Sequence, residues 1–193
     1  MQRIGVYCGS SAGRDPLYRE TAAEFGRSLV ERGYGLVFGG GKVGIMGAVA
    51  DAVLQAGGEV IGVIPEFLAT KELIHPDVPD MRRVSNMHTR KALMAELSDA
   101  FVALPGGLGT LDELFEILTW SQLGLHAKPV GLLNTRGYFN AVVAFVDHAV
   151  QTGFCLPDHR QLFFTADDPQ SLLNELPHVH PPRQPKWLTP EEV

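Results

Sequence analysis

A carboxylate, Glu113, stands just past three clustered glycines in Pro105-Gly106-Gly107-Leu108-Gly109-Thr110-Leu111-Asp112-Glu113. The apolar run Asp99–Leu104 before it reads as a buried strand, and Phe115, Leu118 and Leu123 after it mark a helix. Glycines at a strand-to-helix turn let the backbone approach a ligand closely. The first helical turn also presents N–H groups without intrahelical partners, which suit a phosphate. An anion cradle with an acid beside it points to chemistry on a phosphorylated substrate. A structural reading competes, because Thr110-x-x-Glu113 also fits a capping box in which each side chain accepts from the other's backbone amide. A cap has no need of Gly106, Gly107 and Gly109 together, and three glycines in one turn cost conformational entropy. The glycines therefore favour the ligand reading.

A second candidate lies upstream, in the helical stretch Asn86–Leu97. Arg90 precedes Leu93, Met94 and Leu97 by three, four and seven positions and so shares their apolar face. A guanidinium keeps its charge and is seldom buried unpaired. Either Arg90 snorkels or pairs with a structural carboxylate, or its planar fork meets a substrate phosphate or a catalytic carboxylate. His88 carries little weight beside it. Asp112 and Glu113 are adjacent, hence about 100° apart on a helix, and cannot act as the facing carboxylates of a glycosidase. Asp112 near a helix start also suits the helix dipole.

The other glycine turn, Gly39-Gly40-Gly41-Lys42-Val43-Gly44, lacks the residue order of a P-loop. No acidic residue about twenty positions on closes the next strand, which argues against a dinucleotide site. Two readings stay open for this turn: a close backbone approach to substrate, or a tight structural turn.

The elements that must hold these residues alternate regularly. Strands are expected at Ile4–Cys8, Gly35–Phe38, Glu59–Ile64, Arg82–Ser85, Asp99–Leu104, Lys128–Leu133 and Phe163–Thr165, with helices at Tyr18–Arg32, from Gly44 to Gln55, Asn86–Leu97, after Thr110, and Tyr138–Thr152. The pattern predicts an α/β, Rossmann-like, doubly wound parallel sheet in a single domain over residues 1–176. Ligands of such a fold sit beyond the carboxyl ends of the strands, where both glycine turns fall. The proline-rich residues 177–193 read as an extended tail that cannot build core.

Bulk properties narrow the function. A net charge of −6 argues against nucleic-acid binding, and no apolar run reaches membrane-spanning length. The N-terminus enters a strand directly and lacks the apolar region and cleavage site of a signal peptide, so a cytoplasmic protein is expected. Cys8 and Cys155 have no metal-ligand spacing and read as reduced thiols.

Met87-His88-x-Arg90-Lys91, taken with Pro105-Gly106-Gly107-x-Gly109-Thr110-x-x-Glu113, resembles the LOG ("lonely guy") family. These are cytokinin riboside 5′-monophosphate phosphoribohydrolases, long mislabelled as lysine decarboxylases. The resemblance extends through Val6-Tyr7-Cys8-Gly9-Ser10-Ser11, Gly39-Gly40-Gly41-x-x-Gly44-x-Met46-Gly47, Thr119-Trp120-x-Gln122-Leu123-Gly124 and Lys128-Pro129-Val130-Gly131-Leu132-Leu133-Asn134. It implies that Arg90 and Glu113 are the catalytic pair. It further implies nucleotide contacts from Glu72, Lys91, Gly106, Gly107, Leu108, Gly109, Thr110, Leu111, Asp112 and Thr119. No metal or cofactor is implied, and a homodimer with the site near the subunit contact is. The segment His75–Met81 departs from the plant pattern, which leaves open whether the nucleoside 5′-monophosphate carries a prenylated adenine or is plain AMP. The tail after Leu176 has no counterpart motif.

The residues suit that chemistry. Cleaving an N-glycosidic bond builds positive charge on the ribose. Glu113 would stabilise that charge and orient or deprotonate the attacking water. Arg90, a poor proton donor, would fix the phosphate or leaving group and hold Glu113 ionised. The alternative is a non-catalytic nucleotide-binding or carrier protein on the same scaffold, which would have no need of the carboxylate. A decarboxylase would need a Schiff-base lysine for pyridoxal phosphate, and Lys42, Lys71 and Lys91 lack any supporting signature.

Overall fold

The computed structural model describes residues 1–70 and 73–182. Seven short strands, β1 (Arg3–Tyr7), β2 (Gly35–Phe38), β3 (Val60–Pro65), β4 (Asp80–Val84), β5 (Ala100–Ala103), β6 (Val130–Leu133) and β7 (Phe164–Ala166), form one sheet in the order β4-β3-β2-β1-β5-β6-β7. Every pairing is parallel. Side chains alternate between the two faces: Ile4, Val6, Leu36, Phe38 and Val102 go to one core, Tyr7, Val37, Ile61, Phe101 and Leu132 to the other. Both faces must therefore be covered. The helices α1 (Pro16–Glu31) and α2 (Gly44–Gln55) pack on the first face through Phe25, Leu29, Val49 and Val53. The second face is covered by α3 (Met87–Leu97), α4 (Leu108–Gln122) and α5 (Asn140–Gln151), through Met94, Leu114, Ile117 and Val146.

This is the expected single-domain, Rossmann-like, doubly wound sheet. The chain winds outward from β1 to β4, then returns to place β5 on the other side of β1. The carboxyl ends of β1 and β5 therefore flank the switch point, where such sheets open a crevice for ligands. The loop after β1 and the glycine turn after β5 meet there.

The structure adds one helix that periodicity does not reveal, α6 (Pro169–Glu175), which buries Leu172 and Leu173 against the first face. Seven residues are too few for a periodic pattern, although Asp168 caps the helix by accepting from the Ser171 amide and Pro169 opens it. The proline-rich segment also begins differently from a free tail: Leu176–His178 forms a 3-10 turn, and Leu176 and Pro181 are buried. The tail residues 183–193 and the expected contact residue Glu72 lie outside the described residues. Among the described residues, no helix is long and apolar enough to cross a membrane.

Candidate active site

Three turns meet at the carboxyl ends of β1, β2 and β5. The Gly9 amide after β1 donates to the Pro105 carbonyl after β5 at 3.1 Å, while the Gly9 carbonyl accepts from the Ile45 and Met46 amides at 3.0 and 3.2 Å. The β1 loop thus ties the start of α2 to the turn that opens α4. The turn after β2 holds a strap across the site: the His75 amide donates to the Gly40 carbonyl, the Lys42 amide to the Leu73 carbonyl, both at 2.9 Å. These turns enclose a cavity of about 400 Å³ lined by Arg90, Glu113, Thr110, the Gly107–Gly109 backbone, Ser10 and a run of apolar side chains.

α4 begins at Leu108 with Gly107 as its N-cap, and no side chain caps it. Thr110 therefore lies inside the first turn, and the Thr110-x-x-Glu113 capping box does not form at the helix start. Gly106 has a packing reason to be glycine, since a methyl group there would overlap the Thr110 hydroxyl and the Gly9 amide. Gly107 and Gly109 face open space, with nothing within 4 Å of a Cβ position. The first-turn amides are left with no intrahelical partner, beside a cavity, at the positive end of a 15-residue helix.

Glu113 turns inward rather than back to the helix end. It is only 7% exposed, and its Oε1 accepts from Nη2 of Arg90 at 2.9 Å. Arg90 is 9% exposed, the resolution of its misfit on an apolar helix face: the charge is buried, paired and at the cavity wall. Its Nε is buried and has no hydrogen-bond partner among the described residues. Gly39, at the end of β2, makes room for this arrangement, because a Cβ there would overlap the guanidinium. Part of the first glycine turn is thus explained by packing on Arg90.

Burial pushes the Glu113 carboxyl up to about 7, outweighing Arg90, which pulls it down; Asp112 and Glu116 add to the rise and Lys91 opposes it. Arg90 was expected to hold Glu113 ionised, but it only limits the effect of desolvation. A carboxyl titrating near neutrality is a stronger base toward an attacking water than an exposed carboxylate of ordinary pKa. Cys8 also lines the cavity, but burial and the Glu113 charge push its thiol up, so it is no thiolate nucleophile.

Among the expected contact residues, Arg90, Gly107, Leu108, Gly109, Thr110 and Glu113 line this cavity, and Gly106 lines an adjoining one. The structure does not bring Lys91, Leu111, Asp112 or Thr119 to it. Lys91 is buried between Asp112 and Glu116, at 3.1 and 2.9 Å, and clamps α3 to α4. Leu111 packs into the core of the second face, Asp112 is exposed, and the exposed Thr119 donates to the Phe115 carbonyl at 2.7 Å. Sequence reasoning did not single out Ser10, Met46, Leu68, Leu73 or Met87 as cavity residues. Met87 could have been found, since it sits one helical turn before Arg90 and so shares its face.

A family model described as "possible lysine decarboxylase" matches residues 46–176. The chain is 54% identical over 180 residues to "Probable cytokinin riboside 5'-monophosphate phosphoribohydrolase LOGL9" of Oryza sativa subsp. japonica, covering 93% of this chain and 79% of that one. It is 48% identical over 180 residues to cytokinin riboside 5'-monophosphate phosphoribohydrolase LOG7 of Arabidopsis thaliana, covering 93% and 83%. The chain belongs to the LOG family. The molybdenum cofactor carrier protein of Chlamydomonas reinhardtii has the same fold as this LOG-family chain, with a TM-score of 0.71 over 92% of this chain and 97% of that one. At 24% identity the likeness extends to the fold alone. Among the described residues of this LOG-family chain, no lysine lines the cavity.

Proposed function

We propose that the cavity binds an adenine-type nucleoside 5′-monophosphate and that the protein hydrolyses its N-glycosidic bond to free base and ribose 5-phosphate. Membership of the LOG family makes the protein a hydrolase acting on an N-glycosidic bond. The observation that carries the rest is the buried Arg90–Glu113 pair in the wall of a cavity that an uncapped helix start also lines. With the phosphate on the α4 amides, the ribose lies toward Glu113. As a carboxylate, Glu113 stabilises the developing oxocarbenium charge and takes a proton from the attacking water. Arg90 orients Glu113 from the cavity wall. A carrier would gain nothing from a buried carboxyl in this wall, since burying it costs folding free energy unless its charge is used.

The apolar side of the cavity, formed by Met46, Ile64, Leu68, Leu73 and Met87, suits a hydrocarbon substituent on the base. Methionine side chains adapt readily to such a group. The substrate best matched to that wall is the prenylated nucleotide of cytokinin biosynthesis, with AMP the poorer one. The test is base release from isopentenyladenosine 5′-monophosphate and from AMP between pH 5 and 9. The prenylated substrate should have the higher kcat/KM. Because Glu113 acts ionised and titrates near 7, the rate should climb about tenfold per pH unit in the acid range and level off above pH 7. Release from neither nucleotide would remove the hydrolase reading, and a flat profile from pH 5 to 8 would remove Glu113 as the ionising group.

A homodimer is part of this proposal. α5 is largely apolar yet buries only Val146, leaving Phe145 62% exposed, and Phe154 nearby in sequence is 87% exposed. Such surface on a small domain marks an interface. Sedimentation at micromolar concentration should give twice the 21.0 kDa chain mass; a monomer would contradict it.

A further inference from the structure

The peptide linking Gly106 to Gly107 borders both cavities and is flanked by glycine on each side. Glycine on both sides removes the Cβ barriers that normally choose between the two orientations of a peptide plane. In a trans peptide the C=O and the following N–H point in opposite directions, and the orientation decides which of them faces an anion. One orientation adds the Gly107 N–H to the donors of α4. The other turns the Gly106 carbonyl dipole on the phosphate.

A side chain from a separate element chooses between them. The Tyr138 hydroxyl donates to the Gly106 carbonyl. Tyr138 lies in the connection from β6 to α5, far from the turn in sequence, and lines the smaller adjoining cavity rather than the one containing Glu113. Its position is fixed by buried polar contacts. Asn134, at the end of β6, accepts from the Phe139 amide at 2.7 Å and donates from its side-chain amide to Asn140 Oδ1 at 2.9 Å. The connection turns at Arg136, whose φ of 58° is left-handed, and Arg136 Nε faces Asp15, the N-cap of α1, at 3.7 Å. The Tyr138 ring then packs edge-on against Phe139 at 5.2 Å and against Tyr18 of α1 at 5.7 Å. That the main cavity takes an anion has support besides the helix start, since the nearly buried Arg90 side chain lines it and, among the described residues, its Nε has no hydrogen-bond partner.

We propose that Tyr138 is a positioning residue for substrate phosphate: its hydroxyl holds the Gly106 carbonyl away from the anion and thereby presents the Gly107 N–H to it. Tyr138 touches no reacting atom and acts only through this peptide. The inference rests on the phosphate reading of the cradle given above.

The test is Tyr138→Phe, which removes one oxygen and keeps the ring contacts with Phe139 and Tyr18. Binding of ribose 5-phosphate and of adenosine is measured by calorimetry in both proteins, with kcat and KM for the nucleoside 5′-monophosphate and thermal melting alongside. Ribose 5-phosphate should bind roughly three- to tenfold more weakly to the variant, the worth of one net hydrogen bond. KM should rise by a similar factor and more than kcat falls, while adenosine binding and the melting temperature hold. Unchanged ribose 5-phosphate affinity overturns the proposal. So does an equal loss of adenosine and ribose 5-phosphate affinity, which would make Tyr138 a general structural support. A wild-type protein that neither binds ribose 5-phosphate nor releases base overturns the phosphate reading itself, and is distinguished from the other results by the wild-type arm alone.

Discussion

Glu113→Gln should abolish base release while leaving nucleotide binding measurable. Glutamine keeps the shape of the side chain and an oxygen that can accept from Arg90 Nη2, the contact now made at 2.9 Å. It cannot ionise, so it neither stabilises an oxocarbenium-like ribose nor takes a proton from water. The loss expected from removing the charge that meets the transition state is about a thousandfold or more in kcat. Ground-state affinity depends mainly on the phosphate and the base and should change far less. The buried Arg90 charge is less well compensated in this variant, so its melting temperature is measured alongside. A folded variant that binds nucleotide and turns over at near-normal rate would reduce Glu113 to a structural partner of Arg90.

What could be read in the chain before folding follows from how local each signal is. The seven strands and five of the helices are legible because Ile4–Tyr7, Val60–Ile64 or Phe101–Leu104 are apolar runs of strand length, separated by amphipathic stretches. Glu113 and Arg90 stand out as misfits, a carboxylate beside a glycine turn and a guanidinium on an apolar face. Spacing alone does not pair them, since 23 positions separate them and only the return of the chain from β4 to β5 brings α3 against α4; it is the family resemblance that names them as a pair. Lys91 shows the limit of reading neighbours together. It adjoins Arg90 in sequence but points about 100° away, into the Asp112 and Glu116 carboxylates. The capping box failed for a similar reason, because the helix starts two residues before Thr110 and leaves Glu113 free to turn inward. The apolar wall was hidden because Leu68 ends a 3-10 turn of three residues, too short for periodicity, and Leu73 lies outside any helix or strand, beside the bridge between Gly41 and Ile74.

In the proposed complex the uncapped start of α4 holds the phosphate, and this anchor sets the ribose against Glu113. A nucleoside has the same base and ribose but offers nothing to the Gly107–Thr110 amides. Binding energy from a remote phosphate can be used to orient the reacting bond, so losing it should lower kcat as well as raise KM. A loss of about 4 kcal/mol corresponds to roughly a thousandfold in kcat/KM. The direct measurement is base release from isopentenyladenosine and its 5′-monophosphate under identical conditions, by the same separation of free base. The value of kcat/KM for the monophosphate should exceed that for the nucleoside by roughly a thousandfold or more. Equal values for the two would mean that the glycine turn holds no phosphate.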